Sequence, residues 1–242
     1  MTTIADLVDT LSEALGVERS SVAVAARKLQ LDGAVPTDER GRHGGIAMTA
    51  ADAATLLIGY LGARRVCDAP KAARVFGKLP AISAVFQRAG AGRIVRTGHQ
   101  IEDLPIGRGE GPGQTRLTRS LHSMLTEAIG AVALGRSSAC EITELGFVQD
   151  LAAPLAWIRF PIVAPGQDPC EGEIFYAPSD GLDPCERFRS SALRITASVN
   201  GAVLARLGEV LWDDAKMHVL ADLKDAEVGA ASDEERAHAA TL

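Results

Sequence analysis

Apolar positions recur at helical spacing from the start of the chain. Val8, Leu11 and Leu15 fall on one face, and Gly16 follows where a chain leaving a helix often needs positive φ. Val17 is placed to plug the core under that turn. Ser20 or Ser21 offers an N-cap for a second helix over 21–32, with Val22, Ala25, Ala26 and Leu29 on its inner face and Gly33 at its end. Ala25 and Ala26 are small enough to let the two helices approach closely. Two short helices, a tight turn with Gly and small residues at the crossing specify a helix-turn-helix.

The next stretch reads as a hairpin. Ala34-Val35 and Ile46-Ala47-Met48 are two short candidate strands, and Arg40, Arg42 and His43 lie between them among Gly41, Gly44 and Gly45. A glycine-loosened hairpin with cations at its tip suits a minor groove or a run of phosphates. Thr49 then caps a third helix over 50–61, packing through Ala53, Leu56, Leu57 and Tyr60.

Residues 1–65 are thus expected as a DNA-binding unit, and 66–100 as a helical basic extension. Residues 101–118 (IEDLPIGRGEGPGQTRLT) are Gly- and Pro-rich and read as a linker. Residues 119–212 read as a second, mixed unit. It opens with a helix over 119–134 carrying Leu121, Met124, Leu125, Ile129 and Val132. Strand-like stretches follow at 139–145, 156–163 and 171–176, with another at 189–199. Ala156, Ile158, Phe160 and Ile162 alternate with Trp157, Arg159 and Pro161. Asn200 is placed to cap a last helix with Leu204, Leu207, Val210 and Leu211 on one face. Residues 213–242 read as an acidic flexible tail. The fold class expected is α+β: an N-terminal winged helix-turn-helix, further helices, and a small antiparallel sheet with packed helices.

Composition fits a globular chain that buries a sizeable core. Of 242 residues, 47% are hydrophobic and 23% charged, while aromatics are only 4%, so Ala, Leu, Val and Ile must build the interior. No apolar run reaches the roughly 20 residues that span a bilayer, and the first residues lack a signal-peptide pattern, so no membrane partner is expected. Cys67, Cys140, Cys170 and Cys185 are far apart, which argues for free thiols in a reducing cytoplasm.

The net charge of −6 conceals a segregation: residues 1–65 carry −1, residues 66–120 carry +5 and residues 121–242 carry −10. Salt screens charges beyond about 8–10 Å, so a phosphate backbone responds to the local field rather than the total. A basic middle and an acidic end are therefore compatible with DNA, and the acidic half also suits a protein partner.

The stretch LSEALGVERSSVAVAARKLQLDGAV followed by RGRHGG resembles the winged helix-turn-helix of GntR-like bacterial transcription regulators over residues 7–48. The shared pattern is a Leu-Gly-Val turn, a Ser-opened recognition helix, a Leu-x-x-x-Gly exit and a basic glycine-rich wing. The order helix-turn-helix, wing, helix is similar, more loosely, to MerR-like regulators. GntR-like domains usually carry a helix before the first one here. The 50–61 helix or a partner subunit is expected to supply that packing.

The resemblance implies double-stranded DNA as partner and a recognition helix entering the major groove by its N-terminal part. That places Arg19, Ser20, Ser21, Ala23 and Val24 near DNA, with Arg27 and Lys28 further along. Arg19 and Arg27 are candidates for guanine edges, Ser20 and Ser21 for phosphates, and Ala23 or Val24 for a thymine methyl. Arg40, Arg42 and His43 form the wing contact. A homodimer on two half-sites about 34–36 Å apart would raise the affinity of so compact a reader.

Other chemistry finds little footing. GRGEGPG at 107–113 lacks the Lys-Ser/Thr of a phosphate loop. His43, His99, His122, His218 and His238 show no metal spacing, and Ser137-Ser138 and Ser190-Ser191 have no nucleophile elbow around them. The expectation is a non-enzymatic regulator with no cofactor or metal, cytoplasmic and associated with the nucleoid when bound, of bacterial origin with phage or mobile-element association as a variant. The 119–212 unit would serve dimerisation, partner contact or ligand sensing. The competing expectation is an adaptor protein that uses the winged helix as a docking surface.

Overall fold

The computed structural model describes residues 2–37, 46–88, 93–97, 105–106, 115–116, 120–134, 142–162, 170–179 and 196–211. Residues 38–45, where a wing is expected, and 212–242, which include the expected tail, lie outside them.

Helix α1 spans Ile4–Leu15 and opens with a capping box. The Thr3 side chain accepts from the Asp6 amide, and the Asp6 carboxylate accepts from the Thr3 amide at 2.7 Å. It ends at Gly16 with φ 63 and ψ 35, the left-handed exit expected there. Helix α2 spans Arg19–Leu31 and begins two residues before the expected start. Its N-cap is Glu18, with no side-chain cap bond, so neither Ser20 nor Ser21 takes that role. The inner face of α2 is Val22, Ala25, Ala26 and Leu29, as the pattern predicts.

Helix α3 spans Ala50–Gly62 behind a second capping box, Thr49 with Asp52. A 3-10 turn, Val66–Asp68, leads into α4, Ala69–Gly77. Strands β1 (Ala81–Arg88) and β2 (Arg93–Thr97) then pair antiparallel. The 66–100 stretch is therefore helical in its first third, and the antiparallel strands β1 and β2 follow. The run Ile82, Ala84, Phe86 has the period of a strand, but apolar Val85 between the last two blurs the alternation. Strands β3 (Pro105–Ile106) and β4 (Thr115–Arg116) form a two-residue ladder inside the expected linker.

Helix α5, Leu121–Ala133, is capped by Ser120. Strands β5 (Glu144–Val148), β6 (Leu155–Ile162), β7 (Cys170–Tyr176) and β8 (Thr196–Asn200) complete the sheet, and helix α6 follows over 202–211. Asn200 is the last residue of β8 rather than a helix cap. The larger sheet has six strands in the order β2-β1-β7-β6-β5-β8, with every neighbour antiparallel. The protein is thus α+β.

One face of the sheet carries the core. Ala84, Leu145, Phe147, Ala156, Ile158, Phe160, Ile174 and Tyr176 pack with the helices, and Phe76 meets Phe147 edge-on at 5.3 Å between ring centres. The segments expected as separate units, 1–65 and 119–212, bury their apolar faces in one continuous core running from Leu7 to Leu211. Glycines permit the closest crossings. A Cβ on Gly62 would lie 2.7 Å from the Phe76 ring, and one on Gly208 would lie 2.3 Å from Val132 Cβ. No helix among the described residues is long and apolar enough to cross a membrane.

The strands expected at 34–35 and 46–48 do not form a ladder. Val35 lies in a bend, and the Met48 amide donates to Thr2 O at 2.9 Å instead. Thr2 in turn donates its hydroxyl to Val210 O at 2.9 Å, so the start of the chain is held between 48 and α6. The backbone partner that a wing strand would need at Met48 is thereby already taken.

Candidate nucleic-acid interface

The packing of α2 decides which of its side chains face outward. Val22, Ala25, Ala26 and Leu29 are buried against α1 and α3, while Arg19, Ser20, Val24, Arg27 and Lys28 are exposed and Ala23 is half-buried. Ser20, Val24, Arg27 and Leu31 follow the i, i+4, i+7, i+11 spacing of a single helical stripe. Its apolar members stand well out: Val24 is 49% and Leu31 71% exposed.

Ser21 turns the other way. Its hydroxyl lies 3.2 Å from the Tyr60 hydroxyl of α3, which removes it from the outer stripe and from the phosphate role expected of it. The reason is angular: Ser21 sits four positions before buried Ala25 and shares its side of the helix. Tyr60, together with Leu29 against Gly59, supplies the third-helix packing that the sequence left to α3 or a partner.

Two of the expected contact groups have protein partners. The Arg19 guanidinium pairs with the Asp9 carboxylate of α1, and the Ser20 hydroxyl donates to Glu18 Oε2 at 3.3 Å. Both bonds are exposed and exchangeable with solvent, so they orient the groups without sequestering them. Arg27 and Lys28 make no ion pair among the described residues, and they are the free cations of the stripe.

Further positive charge lies beyond the end of α2, which packs against the 3-10 turn and α4. Arg64, Arg65, Lys71, Arg74 and Lys78 are all exposed in the stretch that follows α3. Arg74 pairs with Asp32, the C-cap of α2, at 3.1 Å. Sequence reasoning passed over Leu31 and Arg74. Leu31, like Val24, is a large apolar residue of α2 off the Val22–Leu29 face, a visible signal. Arg74 is tied to α2 only through tertiary packing.

Arg40, Arg42 and His43 lie outside the described residues. His122 is a structural group: its Nε2 lies 3.0 Å from the Thr55 hydroxyl and 3.2 Å from Ala51 O, joining α5 to α3. Cys67 is a free, exposed thiol.

No family model, no curated protein and no solved structure matches this chain.

Proposed function

We propose that this chain is a sequence-specific double-stranded DNA-binding protein acting as a bacterial transcriptional regulator, with α2 as its reading helix. The observation that carries the reading is the outward stripe of α2. A helix buried along one face by α1 and α3 presents Arg19, Ser20, Ala23, Val24, Arg27 and Lys28 on the other. Helices present such a face to a major groove, where a good bidentate base contact gives about 1–3 kcal/mol of discrimination. Arg40, Arg42 and His43 join the reading on their sequence alone, as cations among glycines suited to phosphate contact. Arg64, Lys71 and Arg74 supply sequence-independent attraction beside α2. Homodimers on two half-sites, and a cytoplasmic location, belong to the same reading.

Arg27→Ala combined with Arg42→Ala tests it. The double variant keeps its fold and loses the shift of a specific DNA fragment. Unchanged DNA binding by the folded double variant would contradict the assignment.

The exposure of Val24 and Leu31 favours one other reading, in which the same stripe docks a protein partner. Apolar groups on an outward helix face are the usual anchors of such contacts. Val24→Asp with Leu31→Asp separates the two: on the adaptor reading it abolishes partner capture while leaving DNA behaviour as it was.

A further inference from the structure

Two recesses share lining residues, and one of them lies beneath the α1–α2 turn. One, of about 350 Å3, is walled by Leu15 and Val17 of the turn, Tyr60 and Leu61 of α3, and Val199 of β8. The other, of about 400 Å3, is walled by Asp68, Lys71 and Asp150. Arg64 and Gln149 line both and form the partition between them. Gln149 is fixed in place, its Nε2 donating to Leu61 O at 2.7 Å. Arg64 is exposed and makes no ion pair among the described residues.

The two recesses differ in chemistry. The first contains half-buried Leu15, Val17, Tyr60 and Val199, no acidic side chain, and one charge, that of Arg64. In the second, Arg64 and Lys71 balance Asp68 and Asp150. Each volume lies within the roughly 300–1,000 Å3 of small-molecule sites, which typically combine apolar walls with a few polar anchors. Arg64 is the single charged group of the first recess, and a guanidinium beside apolar walls suits a carboxylate carrying an apolar body.

We propose that this is a ligand site for a small carboxylic acid, with the carboxylate on Arg64 and the apolar body between the α1–α2 turn and β8. The walls connect it to α2. Leu15 and Val17 flank Gly16, whose φ of 63 sets the turn, and the Tyr60 hydroxyl contacts Ser21. A ligand seated there touches both ends of the joint that aims α2. It shifts the orientation of α2 to the extent that it binds one orientation better than another. The regulatory meaning of that shift rests on the DNA-binding reading, whereas occupancy of the site does not.

The test uses the full chain with methyl-labelled Leu, Val and Ala, titrated with octanoate and, as an uncharged control, octan-1-ol. The Leu15, Val17, Leu61 and Val199 methyls shift with one saturating curve, and the Ala23 and Val24 methyls of α2 follow it. Arg64→Ala weakens octanoate at least about tenfold, as losing one charge-assisted anchor does, and Arg64→Lys recovers part of the loss. The same spectra report that each variant is folded. The site is overturned by the absence of saturable shifts with octanoate, by octan-1-ol binding as tightly, or by Arg64→Ala binding unchanged. Still methyls on α2 at saturation overturn the link to the helix. No DNA enters the measurement, so its failure is distinct from any failure of the DNA reading.

Discussion

The hydroxyls of Ser21 and Tyr60 lie 3.2 Å apart and join α2 to α3 across 39 positions of sequence. The bond supports the rotation of α2 that the burial of Val22, Ala25, Ala26 and Leu29 sets, and with it the set of side chains that face outward. A typical hydrogen bond adds about 0.5–1.5 kcal/mol to stability. Ser21→Ala and Tyr60→Phe each lower unfolding free energy by about that much, and the double variant loses less than the sum of the two. Strict additivity in a denaturant-unfolding cycle would remove the bond from the account.

Two glycines in helices behave oppositely. Alanine is favoured over glycine in a helix interior by about 0.8–1 kcal/mol. At Gly130 an added Cβ meets nothing nearer than Ala50 Cβ at 3.7 Å, an ordinary contact, so Gly130→Ala stabilises by up to about 1 kcal/mol. At Gly208 it would sit 2.3 Å from Val132 Cβ and 3.0 Å from Ile129 O, so Gly208→Ala destabilises by about 1–3 kcal/mol through overpacking. Thermal unfolding of both variants checks the sign, and a stable Gly208→Ala protein would contradict the close crossing of α5 and α6.

The Tyr176 hydroxyl is fully buried and has no hydrogen-bond partner among the described residues. Burial, and then the negative charge of Glu127, push its phenol far above the usual tyrosine range, so it stays neutral. A buried, unsatisfied polar group costs about 1–3 kcal/mol. Tyr176→Phe is therefore neutral or stabilising, in contrast to Tyr60→Phe. Chemical denaturation of the two variants side by side reads the difference directly, and a clear loss at Tyr176 would mean that its hydroxyl has a partner.

The α1 capping box carries a pH signature. The Thr3 amide and then the Thr3 hydroxyl bond the Asp6 carboxylate and hold it below its ordinary value of 3.8. A carboxyl depressed in the folded state contributes stability above its unfolded value, and that contribution is lost as pH falls through the folded one. Asp6→Ala therefore melts below the parent at neutral pH, and the gap closes as pH drops below 3.8. A gap that persisted in strong acid would assign the effect to packing rather than to the ionised cap.

Local features were the legible part of this molecule. Gly16 and the Thr49 cap act within four residues of themselves, so the pattern was enough to place the end of α1 and the start of α3. The inner face of α2 was equally plain, because Val22, Ala25, Ala26 and Leu29 have no other way to be buried. The failures are tertiary. Met48 finds Thr2 instead of residues 34–35, and β1 is stabilised by β7, some 90 residues away in sequence. The candidate site shows the same split. The outward stripe was readable, but the Arg19–Asp9 pair and the Ser21–Tyr60 bond required knowing how α2 sits on its neighbours.

The most direct measurement of the central claim is the salt dependence of DNA affinity for the parent chain and for Arg27→Ala/Lys28→Ala. Each phosphate neutralised adds about 0.9 to the steepness of log K against log salt. The parent binds a specific duplex with a steep slope, and the variant, which loses two free cations of the α2 stripe, binds more weakly with a slope shallower by about 1–2. A flat response in the parent, or identical slopes in the two proteins, would contradict α2 as a DNA-reading helix.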